Sequence, residues 1–137
     1  FIQMTKENKN IKLIPNEKFD IIPYYKVADI LVSDISSTLF EFLPLNKPII
    51  QAECFTLRLK HRVFFQRFLK RLDIQRLQGL DFAYKISNAE DLFSRVYFAL
   101  DNSKEMQAER KKACEYYLYK NDGKASRRLI QAIKDYQ

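Results

Sequence analysis

Four side chains within a short stretch, Asp34, Ser36, Ser37 and Glu41, have the types and spacing to handle a phosphate-bearing molecule. They stand where an apolar run, Asp29-Ile30-Leu31-Val32-Ser33-Asp34, gives way to an amphipathic segment beginning Thr38-Leu39-Phe40. A strand passing into a helix at this point would leave the backbone N–H groups of the first turn unpaired. Those groups, together with the serine hydroxyls, could hold a phosphate without any glycine. A plainer reading stands beside this one. Serine before an apolar helix commonly caps it, worth about 1 kcal/mol; Asp34 would then orient the turn, and Glu41 would close a capping box with Thr38. No residue presents itself as a catalytic acid, base or nucleophile. His61, between Lys60 and Arg62, reads as a solvated histidine. Metal chemistry finds too few soft ligands in Cys54, Cys114 and one histidine, and no cofactor motif is present. With two glycines in the chain, GxGxxG and P-loop cradles are absent.

The elements that must position these residues follow from pattern. Ile11-Lys12-Leu13-Ile14 alternates and is closed by Pro15-Asn16, predicting a short strand, and Pro23 opens a short helix. The run from Asp29 to Asp34 predicts a strand buried on both faces, as in a parallel sheet. The helix from Thr38 presents Leu39, Phe40, Phe42 and Leu43 and stops at Pro44 and Asn46; Lys47-Pro48-Ile49-Ile50 then predicts the next strand. Residues 29–50 therefore form a strand–helix–strand unit, right-handed if the strands are parallel. A basic helical segment follows over residues 57–72, with Leu57, Val63, Phe64, Phe68, Leu69 and Leu72 as its buried set. Ala83-Tyr84-Lys85-Ile86 adds a short strand. Ser87-Asn88-Ala89-Glu90 reads as a capping box ahead of a helix carrying Leu92, Phe93, Val96, Tyr97 and Leu100. Two helices, 104–119 and 125–136, close the chain around Asn121-Asp122-Gly123, where Gly123 suits a left-handed turn. Tyr116, Tyr117 and Tyr119 read as core and interface residues. The fold class is α/β: a Rossmann-like three-layer domain with a parallel sheet, formed as one domain over residues 1–137 and binding ligands outside the carboxyl ends of its strands.

A length of 137 residues suits one domain. Hydrophobic residues at 47% supply a core and exclude a disordered chain. The net charge of +7 favours phosphates, nucleic acid or an anionic membrane without choosing among them. The segment Arg58, Lys60, Arg62, Arg67, Lys70, Arg71 with its phenylalanines would be an amphipathic lipid or nucleic-acid surface, or a packed helix with a solvated basic face. The thiols read as free in a reducing compartment. No run reaches the length of a membrane span and the first residues lack a signal peptide's apolar region, so a cytosolic or membrane-surface location is expected.

Residues 28–42, Ala-Asp-Ile-Leu-Val-Ser-Asp-Ile-Ser-Ser-Thr-Leu-Phe-Glu-Phe, followed by Lys47-Pro48-Ile49-Ile50, resemble the signature of the CDP-glycerol glycerophosphotransferases, the teichoic acid primases and polymerases. The tail agrees, since Asp122-Gly123-Lys124-Ala125-Ser126 and Arg128 resemble the family's C-terminal segment. Ile35 stands where the family has tyrosine, and Glu41 where it has aspartate; the family's histidine motifs have no match. The resemblance implies the C-terminal, donor-binding half of a GT-B enzyme. Such an enzyme transfers glycerol phosphate from CDP-glycerol or a related CDP-alcohol to a wall or capsule polymer, the acceptor being engaged by the N-terminal half; the alternatives are another GT-B nucleotide-sugar transferase or epimerase, which shares an Asp-Ser-rich strand-to-helix turn, and a non-catalytic basic module. It further implies that Ser36, Ser37, Asp34 and Glu41 form the donor phosphate site, with Lys124 and Arg128 neutralising phosphate. The chain alone would bind donor weakly without turnover. The expected location is cytoplasmic, peripheral at the inner face of the bacterial membrane, with nucleic acid not a partner.

Overall fold

The computed structural model describes residues 7–15, 17, 20–54 and 81–136. Within them the elements are α1 (Ile22–Val27), β1 (Leu31–Ser33), α2 (Thr38–Glu41), a 3-10 turn (Leu43–Leu45), β2 (Ile49–Ala52) and β3 (Tyr84–Ile86). A second 3-10 turn (Ala89–Asp91) leads into α3 (Leu92–Asp101), followed by α4 (Gln107–Leu118) and α5 (Ala125–Asp135). The basic segment 57–72 and His61 lie outside the described residues.

The three strands lie in the order β1-β2-β3, and both pairings are parallel. Leu31, Val32 and Ser33 stand opposite Ile49, Ile50 and Gln51, while Ile50, Gln51 and Ala52 stand opposite Tyr84, Lys85 and Ile86. Because side chains alternate along a strand, Ile49 and Ile50 enter different cores. On one face Ile49 joins Tyr25, Leu39, Phe42, Leu43, Phe82 and Ala83, beneath α1, α2 and α4; on the other Ile50 joins Ile86 and Ala99, beneath α3. Helices thus cover both faces of a small parallel sheet, the α/β, Rossmann-like arrangement expected from residues 29–50. Pro23 stands in the first turn of α1, where its missing N–H costs nothing. Gly123 takes φ +68°, the left-handed turn foreseen between the last helices.

Several local expectations are corrected. Ile11–Ile14 is not a strand: a turn closed by Ile11 N–H on the Asn8 carbonyl (3.1 Å) precedes it, and Ile11 and Leu13 are 40% and 51% exposed. Alternation specifies a face for a strand but supplies no neighbour to pair with, and among the described residues the ladder stops at β1. β1 is not buried on both faces either, since Val32 is 41% exposed. It is one of the two outer strands among those described, and α3 packs over β2 and β3 instead. In α3 the inward stripe is Leu92, Val96 and Ala99; Phe93 and Tyr97 face outward and pack edge to face at 4.8 Å. Tyr116 and Tyr119 are likewise exposed rather than core. Neither capping box forms, because no N-cap side-chain bond is made at α2 or at the turn preceding α3. In both places the chain enters with a tight turn that uses its N–H groups on nearby carbonyls.

Arg110, in α4, is 1% exposed although it carries a charge. Its Nε donates to Asn46 Oδ1 at 3.2 Å and its Nη2 to the Ser103 carbonyl at 2.7 Å. Asn46 takes the left-handed conformation (φ 51°) that ends the turn before β2, a conformation asparagine tolerates better than most residues. Burial lowers the guanidinium pKa, the neighbouring negative charge of Glu109 opposes this, and the group stays protonated. One buried cation therefore ties α4 to the connection that sets the start of β2. No described helix is long and apolar enough to cross a membrane.

Candidate active site

The carboxyl end of β1 runs through Asp34, Ile35 and Ser36 into α2, whose N-cap is Ser37. The hydroxyls of Ser33 and Thr38 share a hydrogen bond of 2.8 Å, which fastens the end of the strand to the first residue of the helix. The loop between them is held in a narrow turn. Within it, the N–H groups of Leu39, Phe40 and Glu41 bond to the Ser36 and Ser37 carbonyls at 3.0–3.2 Å, and that of Thr38 reaches Ser36 Oγ at 3.4 Å. The N–H groups of Ser36 and Ser37 make no hydrogen bond among the described residues, and neither does the Ser37 hydroxyl. The free donors are therefore two adjacent backbone N–H groups and the serine hydroxyls, Ser37 exposed and Ser36 half-buried. The helix behind them has only four residues, so its macrodipole is small and discrete hydrogen bonds would have to hold an anion.

Asp34 is exposed beside these donors. Glu41 lies at the far end of α2 and accepts a hydrogen bond from the Tyr25 hydroxyl at 3.3 Å, linking α2 to α1. Burial, followed by the charge and hydrogen bond of Glu41, raises the Tyr25 phenol from 10.0 to about 12. A phenol that ionises later in the folded state contributes stability that is complete below pH 10 and is lost as pH rises toward about 12. The loss should therefore fall between pH 10 and about 12. Alkaline unfolding followed by circular dichroism, with tyrosinate absorbance recorded in parallel, should show Tyr25 ionising with the unfolding transition. Tyr25→Phe should flatten that part of the stability curve; an unchanged curve would refute the assignment.

The tail residues are arranged differently. Arg128 Nη1 donates to both carboxylate oxygens of Asp122, at 2.8 and 2.9 Å, and Nη2 donates to the Lys120 carbonyl at 3.2 Å. This pairing holds the exposed Asp122 carboxyl below its ordinary pKa. Lys124 is the N-cap residue of α5, its N–H donating to Asp122 Oδ1 at 3.0 Å. Arg128 therefore closes the turn between α4 and α5, and much of its charge is already answered there. Lys124 is exposed on the same turn. The structure thus gathers Asp34, Ser36 and Ser37 into one segment, places Glu41 one turn away, and groups Lys124 with Arg128 in the tail.

Two polar residues that sequence reasoning missed stand at the same end of the sheet. Gln51, opposite Ser33 in register, is fully buried, and its Nε2 donates to Glu53 Oε1 at 3.0 Å. A glutamine within Lys-Pro-Ile-Ile-Gln-Ala-Glu was the available signal, since a polar residue in an apolar strand must be hydrogen-bonded or functional.

The model of the family CDP-Glycerol:Poly(glycerophosphate) glycerophosphotransferase matches residues 2–135. The chain belongs to this family. The match takes in both the strand-to-helix turn of Ser36 and Ser37 and the tail turn of Asp122 and Arg128. No curated protein and no solved structure matches the chain. As a member of a transferase family it is of enzymatic type, with glycerophosphotransferase-like function.

Proposed function

We propose that this chain is the donor-binding, C-terminal half of a GT-B glycerophosphotransferase, folded as one domain, and that its ligand is CDP-glycerol or a closely related CDP-alcohol. The observation that carries the proposal is the family match across residues 2–135 coinciding with free hydrogen-bond donors at Ser36 and Ser37. In the reaction an acceptor hydroxyl of a teichoic acid or capsular polymer attacks the β-phosphorus. The bond to the bridging oxygen breaks, CMP departs with that electron pair, and the hydroxyl proton passes to a base. Ser36 and Ser37 would donate to the diphosphate oxygens as charge shifts toward CMP, a role met by positioned donors. Asp34 would orient the loop, Glu41 would set α2 against α1 through Tyr25, and Lys124 would add positive charge from the tail, with Arg128 shaping its turn. The attacking hydroxyl and its base would come from the N-terminal half, so the chain alone should bind donor without turning it over.

Calorimetric titration with CDP-glycerol, CDP, UDP and GDP tests this reading. Cytidine ligands should bind and the other diphosphates should bind at least several-fold more weakly. Equal affinity for all three diphosphates would point to another nucleotide transferase, and no binding at millimolar ligand by folded protein would refute the proposal.

We place the chain peripherally at the inner face of the bacterial membrane, and α5 supports that location. Leu129, Ile133 and Tyr136 recur on one side of this helix with Ile130 beside them, all exposed, Tyr136 by 97%. Arg127 and Lys134 lie on the other side, the layout of an interfacial helix. Sedimentation with vesicles containing anionic lipid should pull down the chain at low salt and release it as salt rises. Leu129→Gln/Ile133→Gln should abolish the effect, whereas salt-sensitive binding that ignores these changes would assign it to the basic segment 58–71.

A further inference from the structure

Gln51 is 0% exposed in the middle strand, and its Oε1 has no hydrogen-bond partner among the described residues. Its Nε2 donates to Glu53 Oε1 at 3.0 Å. The two facts are linked. Turned end for end, the amide would set its oxygen against the Glu53 carboxylate, two acceptors in contact. The bond to Glu53 therefore fixes the amide and leaves its oxygen without a donor. An apolar side chain of the same size would avoid that cost, so an orphaned acceptor here calls for a reason.

Glu53 supplies the reason. It directly follows β2, at the end where open parallel sheets bind ligands. Its backbone N–H donates to the Ile86 carbonyl of β3 at 2.7 Å, so main chain and carboxylate are both held. Unlike Gln51, it is only half-buried, within reach of a ligand. Ser33 is the register partner of Gln51 on the neighbouring strand, and Ser36 and Ser37 follow a few residues beyond it. With strands about 4.8 Å apart, the carboxylate and the serine donors share one edge of the sheet.

A carboxylate accepts hydrogen bonds and repels phosphate, so Glu53 is unsuited to the diphosphate and suited to O–H donors. We infer that Glu53 accepts hydrogen bonds from hydroxyl groups of the bound donor molecule and that Gln51 is the positioning residue that aims it. The inference rests on the reading of Ser36 and Ser37 as the phosphate site. The hydroxyls would belong to the alcohol or to the ribose, which offer the same chemistry.

Titration of wild type, Glu53→Ala and Gln51→Met with CDP-glycerol, CDP and 2′-deoxy-CDP, with Tm recorded for each, tests it. Glu53→Ala should lose about ten-fold in affinity for CDP-glycerol, with Glu53→Gln as the size-conserving alternative should the alanine variant fold poorly. If CDP binding is unchanged, the glycerol hydroxyls are the partners. If CDP weakens as well and 2′-deoxy-CDP does not, the ribose is. Gln51→Met should weaken CDP-glycerol in the same direction while raising Tm by about 3 °C, because it removes the orphaned oxygen. A merely structural glutamine would lower Tm and leave affinity alone. Variants that fold and bind every ligand as wild type does overturn this inference and leave the phosphate site standing. Failure of wild type to bind any cytidine ligand overturns both.

Discussion

Replacing Ser36 and Ser37 together with alanine should weaken CDP-glycerol binding by at least about 100-fold while leaving the thermal unfolding of the protein nearly unchanged. The size of the effect follows from removing two hydrogen bonds to a charged ligand, each worth about 1.5–3 kcal/mol. The unchanged stability follows from the geometry. Ser37 makes no side-chain cap bond, and the one bond that Ser36 Oγ accepts from its own turn is long, 3.4 Å. If these serines only capped α2, the double variant would lose about 1 kcal/mol per cap and bind ligand normally. Calorimetry beside a thermal melt on the same samples separates the two cases. Ser37→Ala alone should account for at least half of the loss, because its hydroxyl has no competing partner among the described residues.

Arg110→Ala should be the most destabilising change in the described structure away from the apolar cores. It removes a fully buried side chain and leaves the Asn46 side-chain oxygen and the Ser103 carbonyl without their donor. Lost packing and unmet acceptors together should cost about 2–4 kcal/mol, lowering Tm by roughly 10 °C. Arg110→Lys should recover only part of this, since an ammonium on a flexible stem does not reproduce the fixed fork of the guanidinium. Chemical denaturation is the measurement. A loss under about 0.5 kcal/mol for the alanine variant, the level of an ordinary surface change, would contradict the role given to this residue. Because Asn46 sets the entry to β2, a destabilised variant should also show weaker donor binding, in proportion to its unfolded fraction.

The strand–helix–strand unit was legible because its signals agree across levels. A β-branched run, two serines, an apolar helix face and a second apolar run each favour the same layout, and β1, α2 and β2 appear there. The helix starts were legible too, but their chemistry was not. Thr38 and Glu41 have the spacing of a capping box, yet Thr38 bonds to Ser33 and Glu41 to Tyr25, both partners brought in by tertiary packing. The exposure of Val32 depends on which strand lies outermost and which helix covers it, matters that a run of apolar residues does not encode. In the candidate site, Asp34, Ser36 and Ser37 were visible as a contiguous motif. Arg128 was visible as a motif residue, while its engagement with Asp122 depends on how the turn at Gly123 folds back. Arg110 lies in a polar stretch, Gln107 to Lys112, that gives no sign of burial, and α4 owes that burial to its docking against the 3-10 turn Leu43–Leu45. Gln51 and Glu53 fall between apolar residues and carry no motif; their meaning emerges from one hydrogen bond and a register.

The most direct test of the donor site is to follow backbone amide resonances while CDP-glycerol is added to saturation. The largest shifts should fall on Ser36, Ser37 and their neighbours at the end of β1, with a second group at Gln51 to Glu53 and smaller shifts at the Lys124 turn, and the amides of α5 from Leu129 to Asp135 should stay still. Amides of Ser36 and Ser37 that remain unmoved while the ligand binds elsewhere would contradict the account.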